Sequence, residues 1–295
     1  MTEKEIVTTD QIRKAVAAVK AQRPAYEGLL DFYEKLCLAQ EASKEDTCLD
    51  PIKIHEDLLS VKEEEGFPLI STTDFVMDVV AAEALLRKLC ELAVEANEVL
   101  AEAGPKIVDA LDKESLDAST LFSNMLKEDD AYLGDVAGKL GIDKTILAFA
   151  VYNSIRPSIS LCAEQLSTYL DKDAEWGKGY CPICGSPPAL SILRGEGGER
   201  SLVCSFCGHE WRIPRICCPF CDNSDQKTMH YFFSEEEKDY RVDVCDKCKK
   251  YIKTIDAREL ERPLHPLVEQ ISTLHLDMLA QEQGLESGIP LWLQM

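Results

Sequence analysis

Basic residues are scarce in this 295-residue chain: 32 Lys and Arg stand against 53 Asp and Glu, for a formal net charge of −21. Affinity for DNA, RNA or anionic membrane rests largely on cations that neutralise phosphates, so no nucleic-acid partner is expected. Long hydrophobic runs are missing as well. No uninterrupted apolar run approaches the roughly 20 residues that span a bilayer. The opening "MTEKEIVTTDQIRKAV" has no apolar stretch of the signal-peptide kind. Both absences point to a cytoplasmic chain without membrane insertion. Glycine-rich phosphate loops of the Walker or dinucleotide type are absent. So is the His-x-Glu that zinc deaminases pair with Cys-x-x-Cys, and the five histidines are isolated from one another. No catalytic constellation remains, and no enzyme is expected.

The chain divides by composition. Residues 1–175 are poor in glycine and rich in Ala, Leu, Glu and Lys, the helix formers. Helices are expected near 10–22, 25–42, 106–126, 129–139 and 143–170. A further helix of about 30 residues is expected over "STTDFVMDVVAAEALLRKLCELAVEANEVLAEAG", stopped by Gly104-Pro105. From Trp176 to Arg262 the helical period gives way to short β-like runs and turns, "ALSIL", "SLVC", "KTMHYFF", "YRVDVC" and "YIKTI". That stretch holds 14 Lys and Arg and 14 Asp and Glu, so the whole acidic excess lies outside it. A last helix is expected over Pro266–Gln283. The expected fold class is α+β: an all-helical N-terminal domain (1–175), two tandem rubredoxin-like or zinc-ribbon β-hairpin modules (176–214 and 215–262), and a C-terminal helix and tail (263–295).

Cysteine is abundant where the other signals fall away. Cys181-x2-Cys184-x19-Cys204-x2-Cys207 is followed by Cys218-x2-Cys221-x23-Cys245-x2-Cys248. Each unit places one Cys pair before a hairpin and one after it. A hairpin returns its ends to one point, so four thiolates can meet in a tetrahedral site of the kind that holds zinc or a single iron. Two metal ions are expected, and the ligand set leaves iron or zinc open. A dithiol enzyme would use one exposed pair beside a βαβ unit, which four pairs in two repeated spacings do not match. Four thiols per site leave no open coordination position, against metal-assisted hydrolysis. Cys217 falls out of register, as an idle neighbour or a substitute ligand. Cys37, Cys90 and Cys162 read as small core residues and Cys48 as a loop thiol. His209, just after the Cys207 knuckle, reads as a neighbour of the metal or as a surface imidazole.

The order of parts resembles the formate dehydrogenase accessory protein family, FdhE. The matching residues are the Cys-Pro-x-Cys-Gly-Ser-x-Pro opening (Cys181 to Pro188), Trp211 after the second knuckle, Arg215 with Cys218 and Cys221, and Cys245, Cys248, Tyr251 and Lys253. The tail "LESGIPLWLQM" is outside the match. The resemblance implies a non-enzymatic maturation factor that binds the catalytic subunit of a molybdenum- or tungsten-containing formate dehydrogenase in the cytoplasm. It also implies rubredoxin-like sites that can hold iron. The alternative is a rubredoxin-like electron carrier using two four-cysteine iron sites. Trp211, Arg215, Tyr251 and Lys253 are candidate client-binding residues, expected at a groove between helical half and ribbons. The competing reading packs the two aromatics around the knuckles and pairs Arg215 with an acid. Exposed hairpin edges leave pairing of two copies open.

Overall fold

The computed structural model describes residues 8–94, 96–171, 174–234 and 237–294. Two compact units are present, and the chain visits the second one twice. One unit holds the residues up to Asp50 and Thr73–Cys162; the other holds Pro51–Thr72 and the chain from Ala163 onward. Composition suggested that everything before residue 175 is one helical domain. The segment 51–72 escaped that reading because its attachment is made by backbone hydrogen bonds rather than by a recognisable side-chain pattern.

The first unit is helical: α1 (Thr9–Gln22), α2 (Glu27–Asp46), α4 (Val79–Ala93), α5 (Glu98–Asp112), α6 (Ala118–Leu126), α7 (Asp130–Leu140) and most of α8 (Lys144–Leu166). A capping box opens α1, with the Thr8 hydroxyl and the Gln11 side chain each accepting the other's backbone N–H. Ile12, Val16, Leu36, Leu86, Phe122 and Ile155 lie fully buried in the core.

The 30-residue helix expected over 71–104 does not form. Its span is divided into a short 3-10 turn (Thr72–Asp74), α4 and the start of α5. Asp78 caps α4 by accepting the Val80 and Ala81 N–H groups, and Asn97 caps α5 through the Leu100 N–H. Gly104 does not stop a helix. It lies within α5, where an added Cβ would come 2.7 Å from the Cys90 carbonyl oxygen of α4. The glycine is there so that two helix backbones can touch. The helix expected over 106–126 is likewise split, between α5 and α6, with Asp117 capping the second piece.

Helix α8 corrects the expectation about apolar runs. Together with the turn that follows, Lys144–Tyr169 is long and apolar enough by composition to cross a membrane, but 78 % of its most apolar window is buried. That is the burial of a core helix. Pro157 sits inside it and has no N–H to give the carbonyl four residues back. That carbonyl belongs to Asn153 and accepts the Gln40 side-chain amide from α2 at 2.9 Å.

The second unit contains α3 (Glu56–Glu65), the strands β1 (Pro188–Arg194), β2 (Glu199–Cys204), β3 (Glu210–Ile213), β4 (Met229–Phe232), β5 (Tyr240–Cys245) and β6 (Lys250–Asp256), then α9 (Pro266–Ser272), α10 (Leu274–Glu282) and the two-residue β7 (Glu286–Ser287). The two expected hairpin modules are present, the first with an additional strand, β3, and the second with its three expected runs as β4, β5 and β6, but they are not separate bodies. They form one sheet in the order β3-β2-β1-β6-β5-β4. The seam is a parallel pairing of the first strand of one module with the last strand of the other, from Leu190 opposite Lys253 to Leu193 opposite Asp256. β7 pairs with β6 just before that seam begins, at Lys250 and Tyr251.

Alternation along these strands supplies the core. Leu190, Ile192, Val203, Tyr240, Val242 and Ile255 pack with Leu276 and Ala280 of α10. The alternate positions carry a polar row across the seam. Arg200 Nε donates to Ser191 Oγ at 2.9 Å, and Thr254 Oγ1 donates to Asp243 Oδ2 at 2.6 Å. Arg200 Nη1 also donates to the Cys217 carbonyl at 2.7 Å, tying the first module to the start of the second. The single C-terminal helix expected over 266–283 is two helices. The chain breaks at Thr273, whose hydroxyl donates to the Glu269 carbonyl at 2.7 Å. The fully buried Glu269 is held by Arg262 and Tyr240.

Candidate metal centres

Each of the four Cys-x-x-Cys pairs forms the same small turn. In three of them the residue after the second cysteine returns its N–H to the carbonyl of the first: Gly185 to Cys181 at 2.9 Å, Asp222 to Cys218 at 3.0 Å and Lys249 to Cys245 at 2.8 Å. That residue is left-handed in all four turns, with φ of 76° at Gly185, 74° at Gly208, 53° at Asp222 and 58° at Lys249. The first centre uses glycine at both such positions, where a positive φ carries no Cβ penalty, and the second uses side-chain-bearing residues at both.

These turns bring the eight cysteines into two clusters, Cys181, Cys184, Cys204 and Cys207, and Cys218, Cys221, Cys245 and Cys248. All sulfurs in a cluster lie within 4.8 Å of one another. Cys184 is 3.5 Å from Cys204 and 3.6 Å from Cys207, and Cys181 is 3.6 Å from Cys207. In the second cluster Cys218 is 3.6 Å from Cys248, and Cys221 is 3.7 Å from Cys245. Four thiolates about 2.3 Å from a central ion sit about 3.8 Å apart at the corners of a tetrahedron. The clusters therefore fit one zinc or one iron each.

Electrostatics point the same way. Burial pushes the Cys181 and Cys207 thiols up, while hydrogen bonds from the other three sulfurs hold Cys184 far down. In the second cluster burial pushes Cys218 and Cys248 up. Burial opposes ionisation at Cys245 too. The N–H groups of Cys248 and Lys247 and the Asn223 side chain nevertheless bring that thiol down to about 6. Four thiolates held this close to one another need a cation at their centre.

The centres differ in exposure. All four cysteines of the first are buried; in the second, Cys221 is exposed and Cys248 half-buried. The second also has a neighbour that its sequence did not announce. Asn223 accepts the Cys218 N–H on its carbonyl at 2.8 Å and donates its side chain to Cys245 Sγ at 3.4 Å. Such outer partners orient metal ligands. In the first centre the Ser186 hydroxyl lies 3.4 Å from Cys184 Sγ, and the N–H groups of Phe206 and Cys207 each lie 3.4 Å from Cys204 Sγ. His209 contributes its carbonyl, which accepts the Cys204 N–H at 2.9 Å. The loop 51–72 adheres to the first knuckle, with Leu69 and Ile70 donating to the carbonyls of Pro182 and Ile183 at 2.8 and 2.9 Å.

The remaining cysteines stay outside both clusters. Cys37, Cys90 and Cys162 are buried, Cys48 is exposed, and Cys217 is buried with its sulfur 3.6 Å from the Cys218 carbonyl.

Three of the four candidate client-binding residues are buried. Trp211 is buried and donates its indole N–H to the Lys178 carbonyl at 3.0 Å. Tyr251 and Lys253 are buried and both donate to Asp277 of α10, at 2.9 and 2.6 Å; Lys253 also reaches the Gln270 carbonyl at 2.8 Å. Arg215 alone is exposed, with Nη1 donating to the Gly197 carbonyl at the tip of the β1–β2 hairpin, 2.9 Å away.

A helical unit joined to a double ribbon with one four-cysteine cluster per ribbon is the class of protein that these observations define. Two family models match the ribbon region: "FdhE, central domain" over residues 180–215 and "FdhE, C-terminal domain" over 216–291. A "Protein FdhE homolog" of Aquifex aeolicus is 34 % identical over 147 residues, 49 % of this chain and 50 % of that one, so this alignment spans half of the relative's length. A "Protein FdhE homolog" of Haemophilus influenzae is 24 % identical over 308 residues, covering 97 % of this chain and 96 % of the relative. In fold, the chain is similar to the crystal structure of the FdhE protein from Pseudomonas aeruginosa, with a TM-score of 0.69 and 21 % identity over 97 % of this chain and 96 % of that one. Residues 180–291 match the two FdhE domain models, and the likeness to FdhE proteins extends over nearly the whole chain.

Proposed function

We propose that the protein is an accessory factor for a molybdenum- or tungsten-containing formate dehydrogenase. It binds the catalytic subunit of that enzyme in the cytoplasm and is needed for active enzyme to form. The observation that carries this reading is the match to the FdhE domain models together with two four-cysteine clusters that offer no open coordination position. Each cluster holds one iron or zinc, and the ion ties the two cysteine turns of a module to each other. The chain itself performs no catalysis. Its exposed Arg215, at a hairpin tip, remains the candidate contact for the client.

The test has two parts. Deleting the gene from its host should abolish formate dehydrogenase activity, and the wild-type chain should restore it. Tagged full-length protein should capture the catalytic subunit, and Arg215→Ala should weaken that capture without changing metal content or melting. A deletion strain that makes fully active enzyme refutes the maturation role. Anaerobic purification with elemental analysis should find two ions per chain.

The exposure of Cys221 favours one further reading, electron transfer through an iron in the second centre. A deletion strain whose purified formate dehydrogenase is fully active, but whose electrons no longer reach their acceptor, would identify the carrier.

A further inference from the structure

The C-terminal tail crosses the second four-cysteine centre and touches both of its knuckles. Glu286 donates its N–H to the carbonyl of Lys249, the left-handed residue after Cys248, at 2.9 Å. Gly288 lies against Phe220, which sits between Cys218 and Cys221. A Cβ at Gly288 would come 2.0 Å from the far edge of the Phe220 ring, so a side chain there requires the ring or the strap to move. The Lys250 ammonium lies 5.7 Å from the centre of the same ring. The tail thus rests on residues whose positions are set by the turns that carry the four sulfurs.

The tail also covers something. Ser287, Gly288 and Ile289 line a cavity of about 20 Å³, room for about one water, together with Phe220, Tyr251 and Lys253. The Lys253–Asp277 ion pair in its wall is nearly solvent-free. At the far end of the tail, the Gln270 side chain donates to the Leu293 carbonyl at 2.8 Å.

From these contacts we infer that residues 284–290 form a strap whose closure depends on the ion in the second centre, and that this is the exchangeable ion of the two. The inference rests on the four-cysteine clusters holding metal. Water reaches Cys221 and Cys248, while the first centre is sealed, so a chelator attacks the second centre first. Once that ion leaves, the Cys218–Cys221 and Cys245–Cys248 turns lose their common anchor. Phe220 and Lys249 then no longer hold the strap. Its release opens the cavity that the strap lines together with Tyr251 and Lys253, both family-motif residues. Metal occupancy would in this way decide whether that cavity is open.

The experiment uses full-length protein loaded with two zinc ions, treated with the chromophoric chelator 4-(2-pyridylazo)resorcinol and followed by hydrogen exchange with mass spectrometry. Two rates of zinc release are expected. The faster should coincide with at least a tenfold rise in amide exchange over 284–290, with β1 and β2 unchanged. Closure and metal retention are linked reciprocally. Gly288→Val, which makes the ring or the strap move, should therefore speed the faster release at least tenfold and leave the slower one alone. Protein that binds fewer than two ions overturns both the metal reading and this one. Two ions with strap exchange unchanged on release of the first overturn the strap alone. So does loss of protection throughout the sheet, and so does a Gly288→Val variant that holds both ions as tightly as the parent.

Discussion

Gln40 donates its side-chain amide to the carbonyl of Asn153, which Pro157 leaves without its helical partner. A buried carbonyl with no donor costs about 1–3 kcal/mol. Gln40→Met should therefore lower stability by about that amount in denaturant titration. Pro157→Ala restores an N–H four residues on, so the same Gln40 substitution in that background should cost clearly less. Equal losses in both backgrounds would mean that Gln40 acts through packing instead.

Gly104→Ala tests the contact between α4 and α5. The new methyl would stand 2.7 Å from the Cys90 carbonyl oxygen, which is backbone and has little room to yield. Overpacking of this kind costs about 1–3 kcal/mol, despite the better helix propensity of alanine. Melting temperature should fall while metal content stays at the wild-type level, because the strain lies in the unit without the cysteine clusters.

Asp78 should make stability depend on pH. The N–H groups of Ala81, Cys48 and Val80 hold its carboxyl below the usual carboxylate range. A carboxyl depressed in the folded state contributes stability above its unfolded pKa of about 3.9 and loses it as the pH falls through the folded value. Asp78→Ala should cost about 1 kcal/mol at pH 7, as expected for a lost helix cap. Denaturant titrations of the two proteins should converge below about pH 4, and a gap that stays constant to pH 3 would rule out the charged cap as its source.

Arg200 should be costly to replace. Its guanidinium is buried among Ser191, the Cys217 carbonyl and Asp243, and burial lowers its pKa. Removing one partner of a buried ion pair costs about 3–5 kcal/mol. Asp243 keeps Arg241 and Thr254, so Arg200→Met should fall near the lower end, about 3 kcal/mol. Chemical denaturation of the metal-loaded protein measures it. A loss under about 1 kcal/mol would show that the polar row is dispensable.

Much of the metal chemistry could be read from the sequence, because a Cys-x-x-Cys turn is a local event. Two residues of spacing and one left-handed neighbour fix each knuckle, and the 19- and 23-residue intervals have room for little but a hairpin. The helices were legible in kind, less so in extent. Asp78, Asn97 and Asp117 are ordinary acidic or amide residues until a backbone N–H turns toward them, so three cap positions passed unnoticed and two long helices were drawn where three shorter ones lie. Gly104-Pro105 gave the signal of a stop, yet the glycine answers to Cys90 on another helix. Nothing local in "CPFCDN" tells that Asn223 will reach Cys245. Nor could the burial of Trp211, Tyr251 and Lys253 be inferred, since their partners are the Lys178 carbonyl and an aspartate 24 residues or more along the chain.

The parallel seam between β1 and β6 has a consequence for how this molecule can be divided. Each ribbon looks in sequence like a cassette that could be cut out with its own ion. In the folded chain each ribbon instead satisfies the other's bare edge. A fragment ending near residue 214 would present the free N–H and C=O groups of Leu190 to Leu193, an edge prone to recruit a second copy of itself. The duplication is therefore indivisible: two copies of one motif have become a single object that neither half can rebuild alone.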